Sequence, residues 1–391
     1  VDYQALYRLR LPVLRRACDR LLSRSPAAFD RFCLLHQAWL DDYALFMALK
    51  EQYGGAPWLE WPEDIRLRRP RAMARAKKEL EDDIRFWQGV QYLFFGQWQE
   101  FKSYVNGKGI SIVGDLPIYV AGDSADVWAA PDQFLLDDQG RPTLVAGVPP
   151  DDYSADGQLW GNPLFRWDRM KQDGYAWWLD RVAFQFEIYD VLRLDHFRGF
   201  ESYYAIPYGE KTARNGQWLP GPGMDFFRAL RRSLGPRPII AEDLGFLTPE
   251  VYQLLADTGF PGMKVLEFGF GDPGEDSEYL PHNYPVHSVA YPGTHDNDTI
   301  LGWLDSLTPE QTKFARHYLR LSRREGLHWG VLRSLWASPA QLTVVQMQDL
   351  LGLDRRARMN TPSTLGGNWQ WRALPEAMSA GLARRLYRET A

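Results

Sequence analysis

Cysteine is nearly missing: Cys18 and Cys33 are the only two in 391 residues, and neither has metal-type spacing. That excludes a disulfide scaffold and a cysteine-ligated zinc site, and it suits a reducing, cytoplasmic compartment. No apolar run approaches the ~18 residues of a membrane span, so no membrane partner is expected. Excess positive charge is missing too. The net charge is -5, which disfavours a phosphate-backbone partner, and no nucleic acid is expected. There is no HExxH, CxxC, EF-hand loop, P-loop or GxSxG. Only His295-Asp296-Asn297-Asp298 resembles a metal cluster, and adjacent residues on an extended backbone cannot all face one ion, so neither metal nor cofactor is expected.

What the chain has is aromatic side chains, 16 Trp, 19 Tyr and 20 Phe. Most serve as core, but flat rings also suit the apolar faces of sugars. Residues 1–109 read as helices, with apolar positions at helical spacing such as Phe32, Leu35, Trp39, Tyr43 and Phe46. The basic run Arg66–Lys78 is followed at once by Glu79, Glu81, Asp82 and Asp83 and reads as a solvated helix face.

From residue 110 the pattern becomes short apolar runs alternating with helices, the signature of a parallel α/β architecture. Strands are expected at Ile110–Asp115, Val191–Asp195, Pro238–Asp243, Met263–Phe268, Ser288–Tyr291 and Leu342–Gln346. Helix starts are expected at Thr248-Pro249-Glu250 and, with capping-box spacing, at Thr308-Pro309-Glu310-Gln311. Four of the six strands run into acid: Asp115, Asp195, Glu242 with Asp243, and Asp296. A barrel gathers such ends on one rim, whereas an open sheet spreads them along a line, so a (β/α)8 barrel is the preferred architecture.

Glycosidic bond chemistry fits these carboxylates better than metal chemistry does. A retaining mechanism needs an ionised carboxylate nucleophile and a protonated acid roughly 5 Å away. In Val191-Leu192-Arg193-Leu194-Asp195, alternation puts Arg193 and Asp195 on one face, and the guanidinium favours the ionised nucleophile. Glu242 follows the apolar Ile239-Ile240-Ala241 and shares its rim with other carboxylates, both of which raise its pKa. Asp296 with His295, and His196 beside Asp195, are candidates for binding sugar hydroxyls. On the residues alone, transfer and hydrolysis use the same carboxylates and stay undivided.

The ordered motifs Gly114-Asp115-Leu116-Pro117-Ile118-Tyr119-Val120, Gly147-Val148-Pro149-Pro150-Asp151, Gly157 to Pro163, Arg193 to Gly199, Ala241-Glu242-Asp243-Leu244-Gly245, Pro281-His282-Asn283-Tyr284, Thr294 to Thr299 and Asn368-Trp369-Gln370-Trp371-Arg372 carry a resemblance. The chain resembles the 4-α-glucanotransferases of the amylomaltase or disproportionating-enzyme type, glycoside hydrolase family 77. The resemblance implies a (β/α)8 TIM barrel (110–391) with a helical insertion subdomain (1–109), and a retaining transfer between an α-1,4-glucan donor and a glucan or glucose acceptor. In that pattern the nucleophile matches Asp195, the acid/base Glu242 and the transition-state-stabilising carboxylate Asp296. Substrate contacts are expected from Arg193, His196, His295, Asp115 and Asn297, and from Tyr153 and Trp160 on a substrate-covering loop at 147–163. Asp152 stands where the family commonly has an aromatic. The family's first two barrel strands have no match upstream of the helical segment, so six of eight strands are expected, with exposed sheet edges that favour association. The alternatives carried forward are an α-1,4-glucan hydrolase of the α-amylase clan and an inactive carbohydrate-binding fragment.

Overall fold

The computed structural model describes residues 1–24, 26–150, 154–271 and 276–390. The chain divides into two compact units, Gln4–Gly259 and Val1–Tyr3 with Phe260–Ala391. Among the described residues ten strands occur: β1 (Val113–Leu116), β2 (Leu144–Val148), β3 (Gln158–Pro163), β4 (Val191–Leu194), β5 (Ser202–Pro207), β6 (Gln217–Pro220), β7 (Ile239–Ala241), β8 (Gly262–Val265), β9 (Ser288–Tyr291) and β10 (Leu342–Thr343).

In the first unit the N-terminal hundred residues are helical, chiefly Tyr3–Arg24, Pro26–Gln52, Pro70–Glu79 and Glu81–Asn106. Cys18, Ala44, Ala48, Phe86 and Trp87 form their shared core. Glu81, Asp82 and Asp83 open the last helix, where acidic side chains offset its positive end. The basic run is solvated as expected except at its start, where Arg66 is half-buried and donates to Gln139 Oε1 at 2.7 Å, and Arg68 pairs with Asp42 at 2.6 Å and lies 4.2 Å over the Trp128 ring. Beyond the helices, β1, β4 and β7 form a parallel sheet in the order β1-β4-β7. Its buried positions Leu116, Leu192, Leu194 and Ile239–Ala241 anchor it in the core.

A second, antiparallel sheet in the order β3-β2-β5-β6 was not expected from the sequence. Of the segment 147–163, residues 147–148 and 158–163 belong to this sheet: β2 ends at Val148 and β3 begins at Gln158. The strands are masked by breakers, since β2 contains Gly147 and β3 contains Gly161 and ends on Pro163. Gly147 is there for space, because a Cβ would collide with the Gln158 carbonyl and the Ile206 side chain. Tyr153 lies outside the described residues.

In the second unit β8, β9 and β10 form another parallel sheet in the order β10-β9-β8. All six parallel strands read from the sequence are therefore present, β9 with the expected bounds and the other five shorter than expected. Helices Ile300–Ser306, Pro309–Tyr318 and Leu327–Trp336 pack Ile300, Trp303, Ala315, Leu332 and Leu335 around Leu266, Phe270 and Ala290. The capping box at Thr308 and Gln311 forms with both reciprocal bonds. The helix at Pro249–Thr258 also begins as expected, but the Thr248 hydroxyl does not cap it. Among the described residues no helix is long and apolar enough to cross a membrane.

Candidate active site

The first unit places its acidic strand ends side by side. Asp115 on β1 is the register partner of Arg193 on β4, and Arg193 pairs across to Ile240 on β7. Leu192 and Leu194 are buried in the core, so the odd positions of β4 project to the opposite face, as the alternation requires. There Arg193 Nη1 lies 2.6 and 2.8 Å from the Asp115 oxygens and 3.0 Å from Asp195 Oδ1. Burial works against the Arg193 charge, but Asp115, Asp195 and Glu242 outweigh it and hold the guanidinium firmly protonated. Its side chain is 11% exposed, whereas Asp195 is 41% exposed, so the cation is walled in while the carboxylate it serves stays open to a ligand.

After Asp195 the backbone turns at once. His196 takes a left-handed conformation, φ 52°, which is uncommon for a non-glycine residue. The turn aims its N–H at Glu242 Oε2, 2.7 Å away, and the Phe197 N–H bonds the Glu242 carbonyl at 3.0 Å. The Leu244 N–H holds the other oxygen, Oε1, at 3.1 Å. Burial, reinforced by the Asp195 and Asp243 charges and opposed by Arg193 and the His196 N–H, pushes Glu242 up to about 8. Two neighbouring carboxyls thus differ as a nucleophile and an acid must: one open and against a cation, the other buried and protonated at neutral pH.

The His196 ring is neutral, pushed down to about 3 by burial and then by Arg198. Its Nε2 is buried with no hydrogen-bond partner among the described residues. Trp160 on β3 meets it edge-on at 4.8 Å, and Tyr119 lies at 6.5 Å. The antiparallel sheet that the sequence concealed therefore carries Trp160 to the residue next to Asp195.

Asp296 belongs to the second unit. The segment after β9 folds into a tight turn in which Thr294 donates from both its N–H and its hydroxyl to Asn297 Oδ1, each at 2.9 Å. Asn297 N–H returns to the Thr294 carbonyl at 3.1 Å, and Asp296 N–H bonds Thr294 Oγ1 at 3.3 Å. Asn360 Nδ2 donates to Asp296 Oδ1 and Arg358 Nη2 to the Asp296 carbonyl, both at 2.6 Å. His295 Nε2 is 3.6 Å from Asp296 Oδ2, and its ring lies 5.2 Å from that of Trp369. Asn360 and Arg358, more than sixty residues from Asp296, escaped the sequence reading because no local spacing marks them. Among the described residues no group of three or more His, Cys, Asp or Glu is placed to hold a metal.

The comparisons with known proteins decide what these carboxylates belong to. The family model described as 4-alpha-glucanotransferase matches residues 1–377. The chain belongs to the 4-α-glucanotransferase family. A 4-alpha-glucanotransferase of Clostridium butyricum is 45% identical over 393 residues, covering 100% of this chain and 80% of its own length. One of Thermus thermophilus is 45% identical over 397 residues, covering 99% of this chain and 79% of its own. The solved amylomaltase of Streptococcus agalactiae, in complex with acarbose, superposes with a TM-score of 0.97 at 43% identity, covering 100% of this chain and 79% of that one. The α/β fold and the enzyme class follow: the chain is a glucan transferase of the 4-α type.

A first test of the site concerns Arg193. Arg193→Met leaves Asp115 and Asp195 without their shared cation. We expect kcat on maltotriose to fall roughly 10- to 100-fold, the range for losing a charge-assisted hydrogen bond of ~1.5–3 kcal/mol. Unchanged kcat would remove Arg193 from the machinery.

Proposed function

We propose that Asp195 is the nucleophile of a retaining glucan transfer and Glu242 its general acid/base, with Asp296 a carboxylate that supports the transition state. The observation that carries this is the opposed state of two neighbouring carboxyls, Asp195 held beside Arg193 and Glu242 buried and pushed up to about 8. In the first step Asp195 attacks C1 of an α-1,4-linked glucose unit while Glu242 gives its proton to the glycosidic oxygen. The C1–O bond breaks, the released chain leaves with a free 4-hydroxyl, and a glucosyl ester remains on Asp195. In the second step the Glu242 carboxylate takes the proton of an acceptor 4-hydroxyl, whose oxygen displaces Asp195 from C1. Two inversions restore the α-linkage.

The buried, neutral His196 and the Trp160 ring beside it suit a sugar hydroxyl and a sugar face respectively. His295, with Trp369, suits the same task, and Asp115 and Arg193 act through Asp195. Asn297 is better read as the holder of its turn, because its amide oxygen already accepts two bonds from Thr294. Tyr153 is kept as an aromatic contact on the strength of the family pattern. Residues 1–109 form, in this reading, a helical insertion. The two cysteines are free thiols, which suits a cytoplasmic site of action.

Incubation with maltotriose tests the reaction. Transfer produces glucose together with a ladder of longer maltooligosaccharides; exclusive production of shorter sugars would identify a hydrolase instead. A second expectation concerns pH. Glu242 must begin protonated, so kcat/KM should fall as pH rises through about 8, the value to which burial lifts it in the free protein. A rate that stays level to pH 10 would contradict Glu242 as the acid.

A further inference from the structure

The segment that follows Glu242 is gripped by a buried cation to which the mechanism gives no task. Arg198 belongs to the short 3-10 helix Phe197–Phe200, directly after the left-handed turn at His196, and it is 4% exposed. Arginine is seldom buried so deeply unless a carboxylate pairs with it. Here the groups that meet the guanidinium are neutral. Nη1 donates to the Phe246 carbonyl, Nη2 donates to Ser202 Oγ at 3.2 Å, and the guanidinium carbon lies 3.8 Å over the Trp218 ring. Burial works against the charge, and Glu201 offsets only part of that. The span it holds is short. Glu242 Oε1 accepts the Leu244 N–H at 3.1 Å, and two residues further on stands the carbonyl that Arg198 grips. Between the two bonds Gly245 is exposed, with φ 86°, and Phe246 is 74% exposed, so the span lies outside the core.

We propose that Arg198 is a positioning residue for the acid/base, holding the span Leu244–Phe246 so that the Leu244 N–H keeps the Glu242 carboxyl in place. The proposal rests on the reading of Glu242 as the acid/base. Three observations support it. The span is bracketed by one short helix: the Glu242 carbonyl accepts the Phe197 N–H at 3.0 Å, and the Phe246 carbonyl accepts the Arg198 side chain. The guanidinium is itself fixed, with its face against Trp218 on β6 and Nη2 on Ser202 at the start of β5, so the antiparallel sheet backs it. Finally, an apolar side chain would fill the same space without the cost of desolvating a charge. A rigid fork of donors is what holds a carbonyl and a hydroxyl at once, and it is kept here although Nε has no hydrogen-bond partner among the described residues.

The test compares Arg198→Met, Ser202→Ala, Glu242→Gln and the double variant Arg198→Met/Glu242→Gln on two donors. Maltotriose needs the acid to release its leaving group, whereas α-maltosyl fluoride expels fluoride without it. Single-turnover fluoride release therefore reads the first step with the acid taken out. Arg198→Met keeps an apolar stem on Trp218 but removes the donors. We expect its kcat on maltotriose to fall on the order of 10- to 100-fold, the scale of a displacement of about 1 Å in a reacting group, with fluoride release within about threefold of the parent. Ser202→Ala leaves the bond to Phe246 and should stay within about threefold on both donors. In the Glu242→Gln background Arg198→Met should cost less than about twofold more on maltotriose, because a residue that acts through Glu242 has nothing left to position. A normal kcat for Arg198→Met on maltotriose, equal losses on the two donors, a loss in Ser202→Ala as large as in Arg198→Met, or additive losses in the double variant would each overturn the proposal. Should Arg198→Met not fold, Gly245→Pro displaces the span directly, because proline cannot adopt φ 86°. The same split between donors is required of it, and equal losses or none overturn the proposal. Full activity of Glu242→Gln on maltotriose would overturn the reading of Glu242 and this proposal with it, whereas a Glu242→Gln that spares fluoride release beside an Arg198→Met that spares neither donor overturns the positioning alone.

Discussion

Asp195→Asn leaves the protein folded and ends turnover: kcat on maltotriose is expected to fall by on the order of 10⁴-fold or more, the loss typical of removing a covalent nucleophile. Asparagine keeps the shape of the side chain, and Arg193 retains its two contacts of 2.6 and 2.8 Å with Asp115, so the sheet end need not rearrange. What disappears is the oxygen that forms the ester. The substitution also has an electrostatic consequence next door. The Asp195 charge is the second largest cause lifting Glu242, after burial, so in Asp195→Asn the Glu242 carboxyl should ionise at a lower pH than the parent's value of about 8. Infrared titration of the carboxyl reads that shift. A kcat within tenfold of the parent would remove Asp195 from the chemistry.

Glu242→Gln is expected to separate activity from stability. On glucans, whose leaving group needs a proton, kcat should drop roughly 10²- to 10⁴-fold, the usual worth of general acid–base catalysis, and the decline above pH 8 should vanish. Stability should move the other way. The folded protein holds the Glu242 proton up to about 8, whereas the unfolded chain releases it near 4.5. The folded state therefore binds more protons throughout that window, and the parent's stability declines as pH rises across it. Glutamine has no proton to lose. The melting temperatures of the two proteins should lie close together below pH 4.5, separate progressively up to about pH 8 in favour of Glu242→Gln, and keep a constant gap beyond. A gap that opened on acidification would show that Glu242 is ionised in the folded state.

The parallel strands were legible because each is a short apolar run closed by a charged or turn-forming residue, and Arg193 with Asp195 was legible because strand alternation alone puts them on one face. The antiparallel sheet was not: Gly147, Gly161 and Pro163 read as loop residues, although the first is required by the close approach of β3 and Ile206. Its concealment hid the means by which Trp160 reaches His196. The raised acid was readable in direction from the apolar residues before Glu242, but its anchoring was not. That depends on the left-handed turn at His196, which only the joined ends of β4 and β7 impose. For Asp296 the motif was visible, while its supports Asn360 and Arg358 come from distant segments. Asn297 shows the converse. It stands in the motif beside Asp296, yet its amide oxygen turns toward Thr294.

The most direct test of the account is to catch the ester. Glu242→Gln, given α-maltosyl fluoride, needs no acid to expel fluoride and lacks the base that would activate an acceptor, so the glycosyl-enzyme should accumulate. Acid quenching, proteolysis and mass spectrometry should then find the added maltosyl mass on the peptide containing Val191-Leu192-Arg193-Leu194-Asp195, with fragmentation placing it on Asp195. Modification of a different carboxylate, or fluoride release with no modified peptide at any time point, would contradict a transfer that passes through Asp195.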